Sequence, residues 1–191
     1  MKLEDLLKLS IEELKGKIIC FPTDTVYGVG CMIEDDQALQ KIYHIKHRDL
    51  NKPLAVLFPS INSVCEYGKV PNNQVKSLMK QYWPGALTLI MEKNKIISDY
   101  VTAGKPTIGC RIPQSDLALS ILNHFGPMAT TSVNLSGMPP LNDLNEIRSE
   151  FKDSIDYYIE DPSESSKIAS TVVDVTKDPY IVLREGSIKI K

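Results

Sequence analysis

A short cationic segment is the most distinctive chemical feature of the sequence. Lys46, Arg48 and Lys52 fall close together and are followed by Pro53 and Leu54. Cations this close repel one another unless water or a polyanion separates them, and arginine offers a two-pronged donor where lysine supplies a point charge. The segment therefore suits a phosphate ligand. A solvated surface loop is the alternative.

Two arginines at predicted strand ends raise a related question. Arg111 ends a strand in which alternation puts Thr107, Gly109 and Arg111 on one face, and Arg184 ends a later strand. A lone arginine on a core strand needs an anionic partner. A substrate carboxylate and an internal aspartate serve equally well, so both remain open for each arginine.

Small polar side chains follow another predicted strand. Ser132, Asn134 and Ser136 alternate there, and their donors and acceptors fit a polar pocket at the carboxyl end of a strand. A turn that satisfies its own backbone is the alternative. A catalytic serine is disfavoured, because the sequence has no G-x-S-x-G elbow and no suitably placed histidine partner.

The usual nucleotide and metal signatures are missing. There is no P-loop, and Gly28-Val29-Gly30 lacks the third glycine of a dinucleotide fingerprint, so side-chain cations must hold any phosphate. Asp24 and Asp174 are candidates to hold Mg²⁺ through water, although turn capping competes for Asp24. His44 and His47 lack companion ligands for zinc.

The predicted elements alternate between strands and helices, which indicates a mixed sheet with helices on both faces. Helices are predicted along a leucine stripe from residue 3 to Gly16 and at 60–67, 72–82 and 113–126. Two more are predicted from their caps: one begins at Asp35 or Asp36 and has an apolar face that reaches Ile45, and a short one begins at Asp143, which forms a capping box with Glu146. Strands are predicted at 17–21, 26–32, 54–58, 86–91, 107–112, 128–132, 171–175, 180–184 and 188–190. A Ser-rich loop at 161–166 interrupts this pattern, and whether 161–168 acts as a lid is left open.

Composition indicates a globular protein with one domain over residues 1–191. The chain has 42% apolar and 24% charged residues, enough to bury one core, and its net charge of -2 argues against a surface that grips nucleic acid throughout. The four cysteines form no C-x-x-C pair, which favours free thiols in a reducing compartment. The sequence also lacks a secretory segment and a membrane span, so a cytoplasmic location is predicted.

Six motifs, in order, resemble those of the YrdC/Sua5 family. They are Pro22-Thr23-Asp24-Thr25-Val26-Tyr27-Gly28, Lys46-x-Arg48-x-x-x-Lys52-Pro53-Leu54, Trp83-Pro84-Gly85-Ala86-Leu87-Thr88, Arg111-Ile112-Pro113, Ser132-Val133-Asn134-Leu135-Ser136-Gly137 and Ser170-Thr171-Val172-Val173-Asp174. The resemblance covers residues 17–187, and the length is similar to that of the short form of the family. It implies a three-layer α/β/α fold with a twisted mixed sheet and a concave, basic cavity.

The resemblance also implies an activity. Such a protein is an L-threonylcarbamoyladenylate synthase, a nucleotidyltransferase that condenses L-threonine, bicarbonate and ATP and releases pyrophosphate. The product serves the modification of adenosine 37 in tRNA. Mg²⁺ would accompany ATP, a tRNA threonylcarbamoyl-transferase complex would be the downstream partner, and tRNA binding by this protein itself would be weak.

Site residues are implied by motif position. Lys46, Arg48 and Lys52 would be the catalytic cations, with Lys46 beside the phosphates. ATP would contact Arg48, Lys52, Thr107, Asn134, Asn142 and Arg184, and L-threonine would contact Thr25, Arg111, Ser132 and Ser170.

Three positions depart from the family pattern. Leu57 stands where some members have a polar residue, so a side-chain hydrogen bond to substrate is expected to be lost. Asp49 replaces a usual proline and is expected to loosen the cationic segment. Val133 replaces a common alanine and is expected to narrow the pocket.

Two other functions compete with the synthase. One is an RNA-binding module that uses the basic concavity, although the acidic balance and the lack of aromatic residues among the cations oppose it. The other is a related carbamoyl-handling enzyme with another acceptor.

Overall fold

A mixed β-sheet organises the residues that the computed structural model describes, which are 1–94, 97–160 and 165–190. Its strands are β1 Ile19–Phe21, β2 Gly28–Met32, β3 Ala55–Leu57, β4 Leu87–Glu92, β5 Thr107–Arg111, β6 Met128–Ser132, β7 Tyr157–Tyr158, β8 Thr171–Asp174 and β9 Ile181–Arg184. They lie side by side in the order β7-β1-β2-β6-β3-β5-β4-β8-β9. The pairs β1/β7, β3/β5 and β4/β8 are parallel and the others antiparallel, which confirms the predicted mixed sheet.

Most of the helices begin at a capping side chain, although α1 has none. They are α1 Leu3–Leu6, α2 Ile11–Leu14, α3 Asp36–Ile45, α4 Ile61–Tyr67, α5 Asn73–Tyr82, α6 Asp99–Thr102, α7 Asp116–Phe125 and α8 Leu144–Phe151, with a 3-10 turn at Lys152–Ser154. Asp35 and Asp143 cap α3 and α8 as predicted, because their carboxylates accept backbone N–H groups of the first helical turn. None of the helices in the described ranges has the length and apolar character needed to span a membrane.

The prediction of one amino-terminal helix is wrong, because Ser10 starts a second helix. Its hydroxyl accepts from the Glu13 backbone and the Glu13 carboxylate accepts from the Ser10 backbone, which forms a capping box at the start of α2. Helix α7 likewise begins later than predicted. Ser115 caps it, so Pro113 precedes the helix rather than opening it.

Three further elements differ from the prediction, one of which is the short helix α6 at Asp99–Thr102, where no helix was predicted. Residues 188–190 form no strand, whereas the two-residue strand β7, which was not predicted, pairs with β1. The predicted Ser-rich loop at 161–166 falls mostly outside the described residues.

The two faces of the sheet differ in how far helices cover them. On one face, buried strand residues such as Val56, Leu89, Cys110, Ala129 and Val173 are 0% exposed. They share a hydrophobic core with residues of α3, α4, α5 and α8. Burial of this apolar surface is the main contribution to the stability of the fold.

The other face is only partly covered and will be called the open face. Residues opposite one another on neighbouring strands share a face, so the pairs Thr130–Ala55 and Ala55–Gly109 belong to one surface. Helices α1, α2 and α7 pack over one part of it, where Ile19, Phe21, Leu57 and Met128 join a second apolar cluster. Further along, Ala55 and Gly109 are only half-buried, together with Ile90, Thr107, Val172 and Asp174.

Candidate functional site

The open face carries four of the predicted site residues. Arg111 lies opposite Leu57, which lies opposite Met128, and Ser132 follows on the same face of β6. Thr107 shares the face with Arg111 by alternation along β5. Arg184 shares it because it lies opposite Val172, which lies opposite Thr88. Polar and cationic side chains from three strands, β5, β6 and β9, therefore reach one surface.

This surface has two ends. Met128 lies in the row of Arg111, and Ser132 stands four residues further along the strand, a separation of about 13 Å. The row of Arg111 will be called the Arg111 end, and the region of Ser132 the Ser132 end.

Arg111 is held at its end by three protein oxygens. Its Nη2 donates to Asp24 Oδ1 at 2.5 Å, its Nη1 to Thr25 Oγ1 at 2.7 Å and its Nε to the Gly85 carbonyl at 3.0 Å. The side chain is almost fully buried, and burial lowers the guanidinium pKa while Asp24 opposes that shift. The internal ion pair is thus present, but it leaves two of the five N–H donors for another acceptor.

The turn formed by Thr23, Asp24 and Thr25 brings Thr25 and Asp24 to Arg111. The Thr23 hydroxyl donates to the Val26 carbonyl at 2.8 Å and accepts from the Thr25 backbone at 3.2 Å. This local network satisfies the backbone of the turn after Pro22 and fixes the position of the Thr25 hydroxyl.

The two carboxylates considered for Mg²⁺ are already engaged. Asp24 pairs with Arg111, and Asp174 Oδ1 accepts from the backbone and hydroxyl of Thr176 at 2.9 and 2.6 Å. The described residues also contain no cluster of three or more His, Cys, Asp or Glu side chains that fits a metal ion. The chain thus offers no built Mg²⁺ site in these ranges, and Mg²⁺ as a companion of ATP stays a prediction.

Lys46 lies at the Ser132 end, beneath the turn that follows β6. It is the C-cap of α3 and only 1% exposed. Its Nζ donates to the Ser132 carbonyl at 2.5 Å, the Asn134 carbonyl at 2.5 Å and Asn134 Oδ1 at 3.3 Å. Burial, and then the charge of Arg48, lower the pKa of Lys46 to about 7.

The acceptors around Lys46 leave it no spare donor in this conformation. An ammonium group has three N–H donors, and three protein oxygens take them. A phosphate can bond Lys46 only if the turn releases the ammonium group, so in the free protein Lys46 holds the turn together.

The turn after β6 also satisfies itself, which was the alternative to a polar pocket. The Asn134 amide donates to the carbonyls of Leu135 and Met138, both at 2.8 Å, and the Ser132 hydroxyl donates to Asn134 Oδ1 at 2.6 Å. The Ser136 backbone donates to the Lys46 carbonyl at 2.9 Å. Lys46 and the turn therefore form one hydrogen-bonded unit.

Arg48 folds back onto its own segment. Its Nε donates to the Lys52 carbonyl at 3.1 Å and its Nη2 to the Pro53 carbonyl at 2.8 Å, while the guanidinium lies 6.0 Å from the Tyr43 ring centroid. Lys52 itself is exposed. In the free protein this segment is a solvated surface loop, which was the alternative to a phosphate site. Hydrogen bonds from Arg48 to the loop's own carbonyls stabilise it.

The departures from the family pattern are accommodated locally. Asp49, expected to loosen the segment, accepts from the Asn51 backbone at 2.9 Å and the Asn51 amide at 3.0 Å, which braces the turn instead. Val133 is 0% exposed in the main core, so it does not narrow the open face. Leu57 packs into the apolar cluster under α7, where a leucine side chain fits.

Ser170 and Arg184 meet Thr88, a residue to which the sequence analysis assigned no role. The hydroxyls of Ser170 and Thr88 lie 2.8 Å apart. Arg184 donates from Nη2 to the Ser170 hydroxyl at 3.2 Å and from Nε to the Ser170 carbonyl at 3.0 Å. Arg184, expected among the ATP ligands, thus lies with Ser170 at the Arg111 end.

The remaining two predicted residues are half-buried. Thr107 begins β5 on the open face. The Asn142 amide donates to the Pro140 carbonyl at 3.2 Å, and its buried Oδ1 lacks a hydrogen-bond partner among the described residues. An acceptor left unpaired in this way favours a donor from a ligand or from water.

Comparisons with known proteins agree on one family. The model named Sua5_yciO_yrdC, described as "Telomere recombination", matches residues 14–186. A threonylcarbamoyl-AMP synthase of Pyrococcus abyssi is 30% identical over 178 residues, which make up 93% of this chain and 52% of that protein. A putative threonylcarbamoyl-AMP synthase of Methanocaldococcus jannaschii is 36% identical over 96% of this chain and 86% of its own length.

A solved structure of a relative supports the same fold. P. abyssi Sua5 complexed with L-threonine superposes with a TM-score of 0.89 at 30% identity, over 97% of this chain and 54% of that protein. The chain thus spans about half the length of the P. abyssi relative, whereas it spans most of the M. jannaschii relative.

Proposed function

The chain belongs to the Sua5/YciO/YrdC family, and from that premise we propose that it is an L-threonylcarbamoyl-AMP synthase that joins L-threonine, bicarbonate and ATP. Relatives of 30% and 36% identity carry that name, and the P. abyssi structure is described as a complex with L-threonine. The observation that carries the proposal is the open face, which presents a cationic anion receptor at one end and a lysine-centred polar turn at the other.

The Arg111 end receives the amino acid. The two remaining N–H donors of Arg111 bind the threonine carboxylate, and the bonds to Asp24 and Thr25 fix the guanidinium in place. Binding then requires no reorganisation of the arginine, which lowers its entropic cost.

The Ser132 end receives the nucleotide. Arg48 and Lys52 supply positive charge to the phosphates, and Thr107, Asn134 and Asn142 supply polar contacts. Arg48 must leave the carbonyls of Lys52 and Pro53 to do so, a local rearrangement of a half-exposed side chain. Lys46 organises the turn and adds charge beneath it.

The reaction needs alignment more than a protein nucleophile. The threonine nitrogen bonds to the bicarbonate carbon with loss of water, which gives a carbamate. A carbamate oxygen then attacks the α-phosphorus of ATP, and pyrophosphate leaves. Because the attacking carbamate and the phosphates are all anions, cations that fix and neutralise them lower the barrier. Other phosphoryl-type transfers use the same means.

The product defines the wider role. A threonylcarbamoyl adenylate is an activated acyl donor, which fits the modification of adenosine 37 in tRNA by a downstream transferase in the cytoplasm. Mg²⁺ with ATP belongs to the same proposal, and no described residue is assigned to it.

Omission assays test the proposal. Pyrophosphate release should require ATP, bicarbonate and L-threonine together. A screen of other amino acids separates a synthase with a different acceptor, which would release pyrophosphate with another amino acid instead. Threonine-independent release, or a salt-sensitive RNA affinity that exceeds the ATP affinity, would overturn the proposal.

A further inference from the structure

Of the two guanidinium groups at the Arg111 end, one is paired with a carboxylate among the described residues and the other is not. Arg111 pairs with Asp24, whereas Arg184 makes no ion pair with a carboxylate among the described residues. The charge of Arg184 also lowers the pKa of Arg111, which places the two guanidinium groups within electrostatic range. Asp174 shares the open face, but its Oδ1 is bonded to Thr176. The unpaired guanidinium of Arg184 can therefore stabilise an anionic group bound beside Arg111.

A pair of buried hydroxyls lies between the two arginines. Thr88 is 5% exposed and Ser170 is 6% exposed. Thr88 lies in β4 one residue beyond the Leu89–Cys110 pair, so the register places it directly across from Arg111. Ser170 precedes β8 and anchors Arg184 through its carbonyl and hydroxyl. The pair thus bridges the strands that carry the two guanidinium groups.

One hydroxyl hydrogen of the Thr88–Ser170 pair is not used in the contact between the two residues. Two hydroxyls have two hydrogens, and the 2.8 Å contact between them uses one. Either oxygen can be the donor in that contact, and the Ser170 oxygen also accepts from Arg184. When Ser170 donates, the Thr88 hydrogen has no acceptor among the described residues, and the strand register places Thr88 across from Arg111.

We propose that the Thr88 hydroxyl, oriented by Ser170 and supported by Arg184, binds the anionic oxygens that come from bicarbonate. These oxygens belong either to free bicarbonate or to the threonine carbamate. This inference rests on the proposed function and adds the position of the third substrate. Arg111 holds the threonine carboxylate, and the Thr88 subsite holds the second anionic group of the carbamate. Thr88 is then a residue that determines which anion enters the reaction.

Calorimetric titration of L-threonine with and without bicarbonate tests the subsite, and no ATP or turnover is needed. For the wild type, bicarbonate should tighten threonine binding. In Thr88→Val, which keeps the shape but loses the donor, the tightening should fall by about tenfold or more, since a bond to a charged group is lost. Thr88→Ser should restore it. Thr130→Val is the matched control, because Thr130 is an equally buried threonine on the same face and should leave the tightening unchanged.

If Thr88→Val does not fold, Arg184→Gln tests the same bicarbonate subsite. Arg184 is exposed, so its replacement preserves the fold while weakening the bicarbonate effect. Titration of bicarbonate alone separates the two sources: binding without threonine identifies free bicarbonate, and binding only with threonine identifies the carbamate.

The subsite is overturned if the wild type binds threonine equally with and without bicarbonate, or if Thr88→Val keeps the full effect. A wild type that shows the bicarbonate effect but releases no pyrophosphate supports the subsite and overturns the proposed reaction. The two failures are thereby distinguishable.

Discussion

The ammonium group of Lys46 lies 2.5 Å from the carbonyl oxygen of Asn134 and almost entirely out of contact with solvent. Among the described residues its partners are two main-chain carbonyls and one amide oxygen, and none is a carboxylate. A lysine buried in this way costs solvation energy, and in return it fixes the turn at the Ser132 end of the open face.

Replacing Lys46 by Met should destabilise the protein in a pH-dependent way. The folded-state pKa of about 7 lies below the ordinary value of 10.5, so the unfolded state binds more protons between these values and stability rises with pH across that window. At pH 9, Lys46→Met should cost about 2 kcal/mol, because buried carbonyls lose their donor, and at pH 6 it should cost less. Urea unfolding measures both values.

Lys80→Met is the control for that comparison, since Lys80 is exposed near the end of α5. It should change the unfolding free energy by less than about 0.5 kcal/mol at either pH. A Lys46→Met effect that shrinks as the pH rises would contradict the assignment.

ATP binding at pH 8 should take up a proton if the phosphates lie near Lys46. The lysine is mostly neutral at that pH, and a nearby polyanion favours its charged form. Calorimetry in two buffers of different ionisation enthalpy should therefore give different apparent enthalpies for the wild type. For Lys46→Met the two should agree. Equal enthalpies for the wild type would place the phosphates away from Lys46.

Removing Arg111 should affect both stability and threonine binding. Arg111→Met leaves the Asp24 carboxylate unpaired and mostly buried, which should cost about 3–5 kcal/mol in urea unfolding and abolish the calorimetric threonine signal. Arg148→Met breaks the exposed Arg148–Glu160 pair and should cost no more than about 1 kcal/mol. If both variants lose the same unfolding free energy, the burial of the Arg111–Asp24 pair does not make it more important for stability than the exposed Arg148–Glu160 pair.

Two glycines of β2 should differ in their tolerance of a methyl group. A Cβ at Gly30 would lie 2.5 Å from Thr130 Cγ2 and 3.0 Å from the Ala129 carbonyl, so Gly30→Ala should cost about 1–3 kcal/mol. At Gly28 the nearest atom would be 3.8 Å away, so Gly28→Ala should be neutral or slightly stabilising. Thermal unfolding of the two variants checks this, and equal midpoints would count against the observed β2–β6 packing.

Local patterns predicted much of the fold because local forces decide it. Alternation and apolar runs located most strands. The capping residues Asp35 and Asp143 indicated where α3 and α8 begin. Two of the errors, both in the position of a helix start, arose at a serine that caps a helix. Ser10 divided the first helix and Ser115 delayed α7, since side-chain capping outweighs a continuous hydrophobic pattern.

The internal partners of the site were beyond sequence reasoning because they are distant and chemically common. The Arg111 guanidinium finds Asp24 at a separation of 87 residues, and Thr88 finds Ser170 at 82. Lys46 donates to main-chain carbonyls. Because every residue has such a carbonyl, no residue type in the sequence indicates that Lys46 is buried. The local signals for the Ser132 end were the alternation of Ser132 and Asn134 after a strand and the cationic segment that begins at Lys46.

Isotope incorporation into the product tests the central claim most directly. The protein is incubated with ATP, ¹³C-bicarbonate and ¹⁵N-threonine, and the nucleotide products are analysed by mass spectrometry. If the open face joins the three substrates, an AMP adduct should carry both labels. AMP or ADP without a doubly labelled adduct, from a protein that consumes ATP under these conditions, would contradict the account.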